Sequence, residues 1–405
     1  MAQESRLEQL PVELLQAILA AMDIRTLEAA IMTGPCLYNA FKGAEELIIR
    51  LVLLRQFDAD VLFDIIATHA SSKIRDGSTQ QAEVFLTAYF TRDQHHFLAS
   101  MEWGLAQARS ISQLDENVQY FVDRIATHAL RMPGLSFCQP DPPFLPPTKL
   151  ERNRIARSLY RFETHCNLHP SGRQSLMSDQ DKRYIDHFAP WENEQLVCVS
   201  EYLFQHIVDP VSSGCCDHPF DRPMYPHKSL VGVPEEIVDF HLLHGLAHIR
   251  LFVVENETDL EQILQVVRGT PPCYIWTRSI QNELIYFECM HPDTPELKDF
   301  ESEEEKKYIP QPRVRDSDSG PEDIWRWANQ ERDARHFVGY YRAKKLRDWA
   351  FVMWDRWRID DWGVLILSHA LTFDAVGQFI EPRGEMTPEM KERCCFRKRR
   401  LTGHR

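Results

Sequence analysis

Nowhere in the 405 residues is there an uncharged stretch long enough to cross a membrane. The longest segment free of Asp, Glu, Lys and Arg is Ala29–Phe41, thirteen residues interrupted by Gly34 and Pro35, whereas a spanning helix needs about 20 apolar residues. No membrane association is therefore expected. The opening Met-Ala-Gln-Glu-Ser has neither the charged nor the apolar region of a secretory leader, which predicts a cytoplasmic or nuclear chain. The ten cysteines include no CxxC and have no regular spacing, so neither a disulfide framework nor a zinc ribbon is expected. Cys166 and Cys198 fall within apolar helical patterns, where a free thiol behaves as a small hydrophobe; the vicinal pairs Cys215-Cys216 and Cys394-Cys395 are the unusual ones. There is no P-loop, no GxGxxG, no GxSxG elbow and no repeat of fixed period. Acid pairs such as Glu235-Glu236 and Asp360-Asp361 are sequence neighbours that point to different helix faces, which suits solvation better than a catalytic dyad. The expectation is a protein that is not an enzyme and needs no cofactor.

What is present is acidic. Lys and Arg number 46 against 60 Asp and Glu, a formal charge of −14. Seven of the basic residues and one acid lie in 391–405, so the body carries −20 and the tail +6. A body of that charge repels phosphate backbones, and nucleic acid is an unlikely partner on this ground. The tail run Arg397, Lys398, Arg399 and Arg400 fits a basic nuclear-targeting patch, and equally a solvated tail without structure.

Two segments interrupt regular structure. Residues 133–148 hold six prolines, and 288–323 hold twelve acids against five bases; the first is expected to run extended and the second to form a mobile acidic loop. A third irregular stretch, 209–227, has prolines at 210, 219, 223 and 226 and is read as a surface loop. Between them lie helical patterns. Ile155, Leu159, Phe162 and Cys166 form an apolar stripe with Arg154, Arg157 and Arg161 opposite. Leu196, Val199, Leu203 and Ile207 follow Pro190 at helical spacing; Pro234-Glu235-Glu236 opens another helix, and Thr258-x-x-Glu261 is a capping box closed by Gly269. No alternating strand pattern recurs, so the fold class expected is mostly α.

Six of nine tryptophans fall at 325, 327, 349, 354, 357 and 362. The run from Trp349 to Ile359 reads as one amphipathic helix packed in the core. His241, His244 and His248 share one face of a predicted helix, which makes them the leading metal candidates. On an unbroken helix His241 and His248 stand about 10.5 Å apart along the axis, too far to share an ion, and no Glu lies between them as in HExxH. Completion by Cys215, Cys216 or His218 is the remaining route. No metal site is expected.

The N-terminus carries the most specific pattern. Leu10–Met22 places apolar residues at 10, 14, 15, 18, 19 and 22 on one wide helical face, with Pro11 at the helix start. Asp23 is placed to cap a second helix ending before Gly34-Pro35, and a third pattern runs from Cys36 through Phe41 to Leu54. A unit of some 50 residues buries little by itself and tends to dock on something else.

The stretch LEQLPVELLQAILAAMDIRTLEAAIMTGPCLYNAF, residues 7–41, resembles an F-box, the motif by which substrate receptors dock on the Skp-type adaptor of cullin ubiquitin ligases. Phe41 stands where many F-boxes have tryptophan, a form seen in F-box-like proteins of filamentous fungi. SLYRFETHCNL at 158–168 and PWENEQL at 190–196 are similar to stretches of uncharacterised proteins of that group. The resemblance implies a three-helix F-box-like unit over 1–55, in which Leu10, Pro11, Leu14, Leu15, Ile18, Leu19 and Leu27 pack or meet the adaptor. A helical connector over 56–132 and a helical C-terminal domain over 150–385, with the acidic loop 288–323 and the basic tail 391–405, would then present an unknown protein substrate. Two alternatives stand beside it: a purely structural F-box-like unit packed on its own helical domain, and a metalloprotein or enzyme centred on His241, His244 and His248.

Overall fold

A computed structural model describes residues 7, 9–74, 79–90, 102–131, 145–168, 184–185, 187–213, 241–255, 312, 316–329 and 344–366, with backbone alone at 79, 206–213, 252–255, 344–345 and 366. The described residues are mostly α-helical, and no strand occurs among them. Outside them lie Cys215, Cys216, His218, the Pro234 and Thr258 helix starts, most of 133–148 and of the acidic segment, Cys394, Cys395, and Arg397 to Arg400. The chain divides into two compact units, Met1–Tyr120 and Phe121–Arg405.

Unit 1 begins with α1 (Val12–Ala20), α2 (Ile24–Ile31) and α3 (Pro35–Lys42). Each start has its expected chemistry. Pro11 ends the extended chain and its carbonyl accepts from Leu14 and Leu15 N–H at 3.0 and 3.2 Å. Asp23 caps α2 by accepting from Thr26 N–H at 2.9 Å and Thr26 Oγ1 at 2.7 Å, and that backbone hydrogen bond holds its carboxyl below the usual range. Pro35 occupies the first turn of α3, where no N–H is needed.

The third pattern, read as one helix through Leu54, is two. Gly43-Ala44 ends α3, and α4 (Glu45–Gln56) starts afresh. Gly43 N–H donates to Asn39 O, while Ala44 turns out of the helical region at φ −147°. α1 packs on both α3 and α4, burying Leu15, Leu19, Leu27, Ile31, Leu37, Phe41, Ile48, Ile49, Val52 and Leu53. α5 (Ala59–Ser72), α6 (Thr79–Phe90) and the first part of α7 (Leu105–Leu130) extend this unit. The buried Asp64 accepts from Tyr89 Oη at 3.1 Å.

Unit 2 is built on α8 (Lys149–Leu168) and α9 (Pro190–Ser213), which pack along each other. α9 runs through Pro210, so the surface loop expected from 209 starts no earlier than residue 214. α8 starts on a reciprocal capping box: Thr148 Oγ1 accepts from Glu151 N–H at 3.2 Å and Glu151 Oε2 accepts from Thr148 N–H at 2.8 Å. Its polar side differs from expectation. Arg154, Arg157 and Arg161, read as a solvent face, are buried, because acids from distant segments meet them there.

Arg154 pairs with Asp316 at 2.6 Å and Asp355 at 2.7 Å, and donates to Met353 O at 2.9 Å. Arg161 pairs with Glu192 at 2.9 Å beneath the Phe188 ring. Arg347 pairs with Glu194 at 2.8 Å, and Arg358 grips both oxygens of Glu151 at 2.8 Å. Burial penalises the Asp316 carboxylate, yet the Arg154 hydrogen bond and charge outweigh it and hold the carboxyl below its ordinary range.

Two C-terminal expectations are revised by the same contacts. The acidic stretch is not a loop at its end: 316–319 is folded and α11 (Gly320–Ala328) begins inside it. Asp318 Oδ1 accepts from Gly320 N–H and Arg356 N–H, both at 2.8 Å. A Cβ on Gly320 would lie 2.6 Å from Arg356 N, so only glycine permits this close approach. The tryptophan segment is core, as expected, but is broken into α12 (Lys344–Asp348), a 3-10 turn (Phe351–Met353) and α13 (Arg356–Trp362). The break centres on Ala350 at φ +51°. It turns Trp354 inward while Trp357 stays 44 % exposed against the Arg358 guanidinium, 4.7 Å from its ring centre.

Candidate functional site

The N-terminal signature residues do not share one environment. Leu15 and Leu19, one helical turn apart, are 3 % and 0 % exposed, and Leu27 of α2 is fully buried. Leu10 and Ile18 are half-buried, Pro11 is exposed, and Leu14 is 51 % exposed. Three of the seven residues thus build the unit and four border solvent. Around the helix Pro11, Leu14 and Ile18 lie within roughly 60° of one another, on the flank that adjoins Leu15 and Leu19. The opposite flank is occupied: Gln16 Nε2 donates to Ala40 O of α3 at 3.1 Å. Val12, Met32 and Tyr38 are further exposed apolar side chains of the same three helices.

The apolar pattern that runs through Leu54 divides on α4 into two stripes. Leu47, Leu51 and Leu54 are 57 %, 44 % and 48 % exposed, opposite the buried Ile48, Ile49, Val52 and Leu53. The signal was in the sequence: apolar residues all round a helix announce that both faces need cover.

The three histidines are brought together by a break that their spacing did not disclose. Residues 241–243 are helical, Gly245 adopts φ +88°, and α10 (Leu246–Glu255) starts afresh. A Cβ on Gly245 would lie 2.6 Å from Glu163 Oε1, and Glu163 Oε2 accepts from Leu246 N–H at 2.6 Å, so the kink is latched to α8. His241 Nδ1 thereby comes to 2.9 Å from His248 Nε2, where an unbroken helix would hold the residues apart. The ring planes differ by 8° with centres 5.2 Å apart. That separation is close to the nitrogen–nitrogen distance plus the two ring radii, so the nitrogens point head-on at each other and share a proton. Two ring nitrogens aimed at each other along one line do not converge on an ion. Among the described residues no group of three or more His, Cys, Asp or Glu is placed to hold a metal.

Burial, followed by the nearby His248 and His244 charges, pushes His241 down to about 4. The unfolded chain takes up this proton near pH 6.5, so between pH 6.5 and 4 it binds more protons than the folded one. Stability contributed by neutral His241 is complete above pH 6.5 and is lost as pH falls towards 4. Urea unfolding at pH 7 and pH 4.5 is expected to show this loss, and His241→Leu is expected to flatten it. An unchanged slope in that variant would put the acid sensitivity elsewhere.

The described residues offer little other chemistry. A crevice in unit 2, lined by His128, Cys198, Glu201, Tyr202 and Arg347, encloses about 270 Å³ of space that includes open solvent. Burial, with the Glu194 charge, raises the Cys198 thiol well above its usual range, which removes it as a nucleophile at neutral pH. No helix among the described residues is long and apolar enough to cross a membrane. Comparison of the chain with protein-family models, with curated proteins and with solved structures found no match.

Proposed function

We propose that the chain is an F-box-like receptor: α1 to α3 dock on a Skp-type adaptor of a cullin ubiquitin ligase, and the helical remainder holds an unidentified protein substrate. The observation that carries this reading is the division of the Leu10–Leu19 signature. One side of α1 is spent on the unit's own core, while Pro11 and Leu14 stand exposed with Ile18 and Leu10 at the margin. An exposed leucine beside a completed core is what a partner-binding helix looks like. It also weighs against a unit whose signature face serves only its own packing.

The burial pattern selects the test. Leu15→Asp would place a charge in the core and remove folding and binding together, whereas Leu14→Asp changes an exposed side chain. Co-expression of the full chain with the adaptor is expected to give a complex that survives gel filtration. Leu14→Asp is expected to weaken it at least about tenfold, near the 1.4 kcal/mol that one interface anchor supplies, with an unchanged circular dichroism spectrum. No complex with the parent chain, or equal binding by the variant, overturns the proposal.

A further inference from the structure

We infer that α4 is a self-association surface, through which a second copy of this chain packs antiparallel on the Leu47, Leu51 and Leu54 stripe. This goes beyond the adaptor reading, uses none of the α1 to α3 residues invoked there, and can fail without it. The three leucines follow at spacings of four and three and lie within roughly 60° of one another around the helix, the narrow seam that two helices share. The seam points away from the unit's core, because Ile48, Ile49, Val52 and Leu53 fill the inner side.

Charge identifies the occupant. Glu46 and Arg50 are both exposed, both lie on the same flank of the seam, and neither forms an ion pair among the described residues, although an i,i+4 spacing would allow one. A two-fold axis normal to a pair of antiparallel helices brings each flank against its own copy. With Leu47 opposite Leu51 of the second copy, Glu46 and Arg50 of opposing chains come within about 3 Å of each other along the helix axis. The pairing occurs twice by symmetry. On the other flank Arg55 donates to Met22 O at 2.6 Å, which holds its guanidinium at the end of α1, and the same symmetry sets the two Arg55 residues about 18 Å apart along the axis, so they do not oppose each other. A helix with only acidic or only basic flanks would leave one of Glu46 and Arg50 facing its own sign. The alternation of the two makes the surface complementary to itself. One helical seam buries less than the roughly 800 Å² per partner of a standard interface, so a reversible, concentration-dependent dimer is expected.

Sedimentation equilibrium of the full chain over a concentration series tests this. The parent chain is expected to rise from the monomer towards the dimer mass, and Leu51→Glu to stay monomeric throughout. Glu46→Arg and Arg50→Glu are each expected to weaken the dimer about tenfold, and the double swap Glu46→Arg/Arg50→Glu to restore it to within about threefold. Both charge positions are exposed, so the swaps keep the test intact if Leu51→Glu perturbs folding. A parent chain that is monomeric at every concentration overturns the inference, whether the seam is then covered by another protein or by the chain's own residues. So does a dimer indifferent to Leu51→Glu, or charge swaps that do not compensate.

Discussion

Arg154→Met is expected to lower the stability of unit 2 by about 3–5 kcal/mol. The side chain is wholly buried and is the shared cation of Asp316 and Asp355. Its Nε and Nη2 donate to the two Asp316 oxygens at 2.6 and 2.9 Å, and Nη1 donates to Asp355 at 2.7 Å and to Met353 O at 2.9 Å. Methionine fills much of the volume but takes the shared cation from both carboxylates, leaving Asp316 with Arg157 at 3.6 Å. Urea unfolding followed by tryptophan emission reports the loss, since Trp325, Trp349 and Trp354 lie in the same unit. The triple variant Arg154→Met/Asp316→Asn/Asp355→Asn is expected to recover much of it, because the penalty arises from unpaired charge more than from a missing attraction. Asp316 adds a pH signature. Its carboxyl is held below the ordinary range, so its contribution is complete above about pH 4 and is lost in more acidic solution. Arg154→Met is expected to reduce that acid-limb loss. A cost under about 1 kcal/mol would mean that water reaches the cluster in solution.

Trp354→Ala is expected to cost about 3–5 kcal/mol, the range for deleting a large buried aromatic. Trp354 is fully buried, meets Trp362 edge-on at 5.9 Å, and donates from Nε1 to Trp349 O at 2.9 Å. The alanine variant opens a cavity and orphans that carbonyl. Trp357→Ala, three residues on, is the contrast: the ring is 44 % exposed, and a loss within about 1 kcal/mol is expected in the same assay. Equal losses at the two positions would contradict the broken-helix arrangement, since a single amphipathic helix would not separate their burial in this way.

The helices at 12–20, 24–31, 149–168 and 190–213 were legible because their evidence is local. Periodicity, Pro at helix starts and the Asp23 cap act within a few residues, and α1, α2 and α9 begin where those signals place them. Three things were not legible. The Gly43-Ala44 interruption splits a pattern whose apolar periodicity continues across it. The Gly245 kink depends on a Glu163 carboxylate 82 residues away, and with it the step from separated histidines to a bonded pair. The buried arginines look like a solvent face in one dimension because Asp316, Asp355 and Glu192 lie 31 to 201 residues from the cations they satisfy. The Thr148-x-x-Glu151 capping box could have been found from sequence; it was hidden by the neighbouring prolines.

By itself the sequence determined the mostly helical class, the acidic character, the amphipathic faces of the N-terminal helices and the core role of the tryptophan segment. These follow from residue type and periodicity, which act over one or two helical turns. Only the tertiary structure decided which side of α1 stays open, which leucines of α4 remain uncovered, and which charges are buried. Each depends on what an element packs against, and a side chain's exposure or charge environment is set by neighbours far away along the chain.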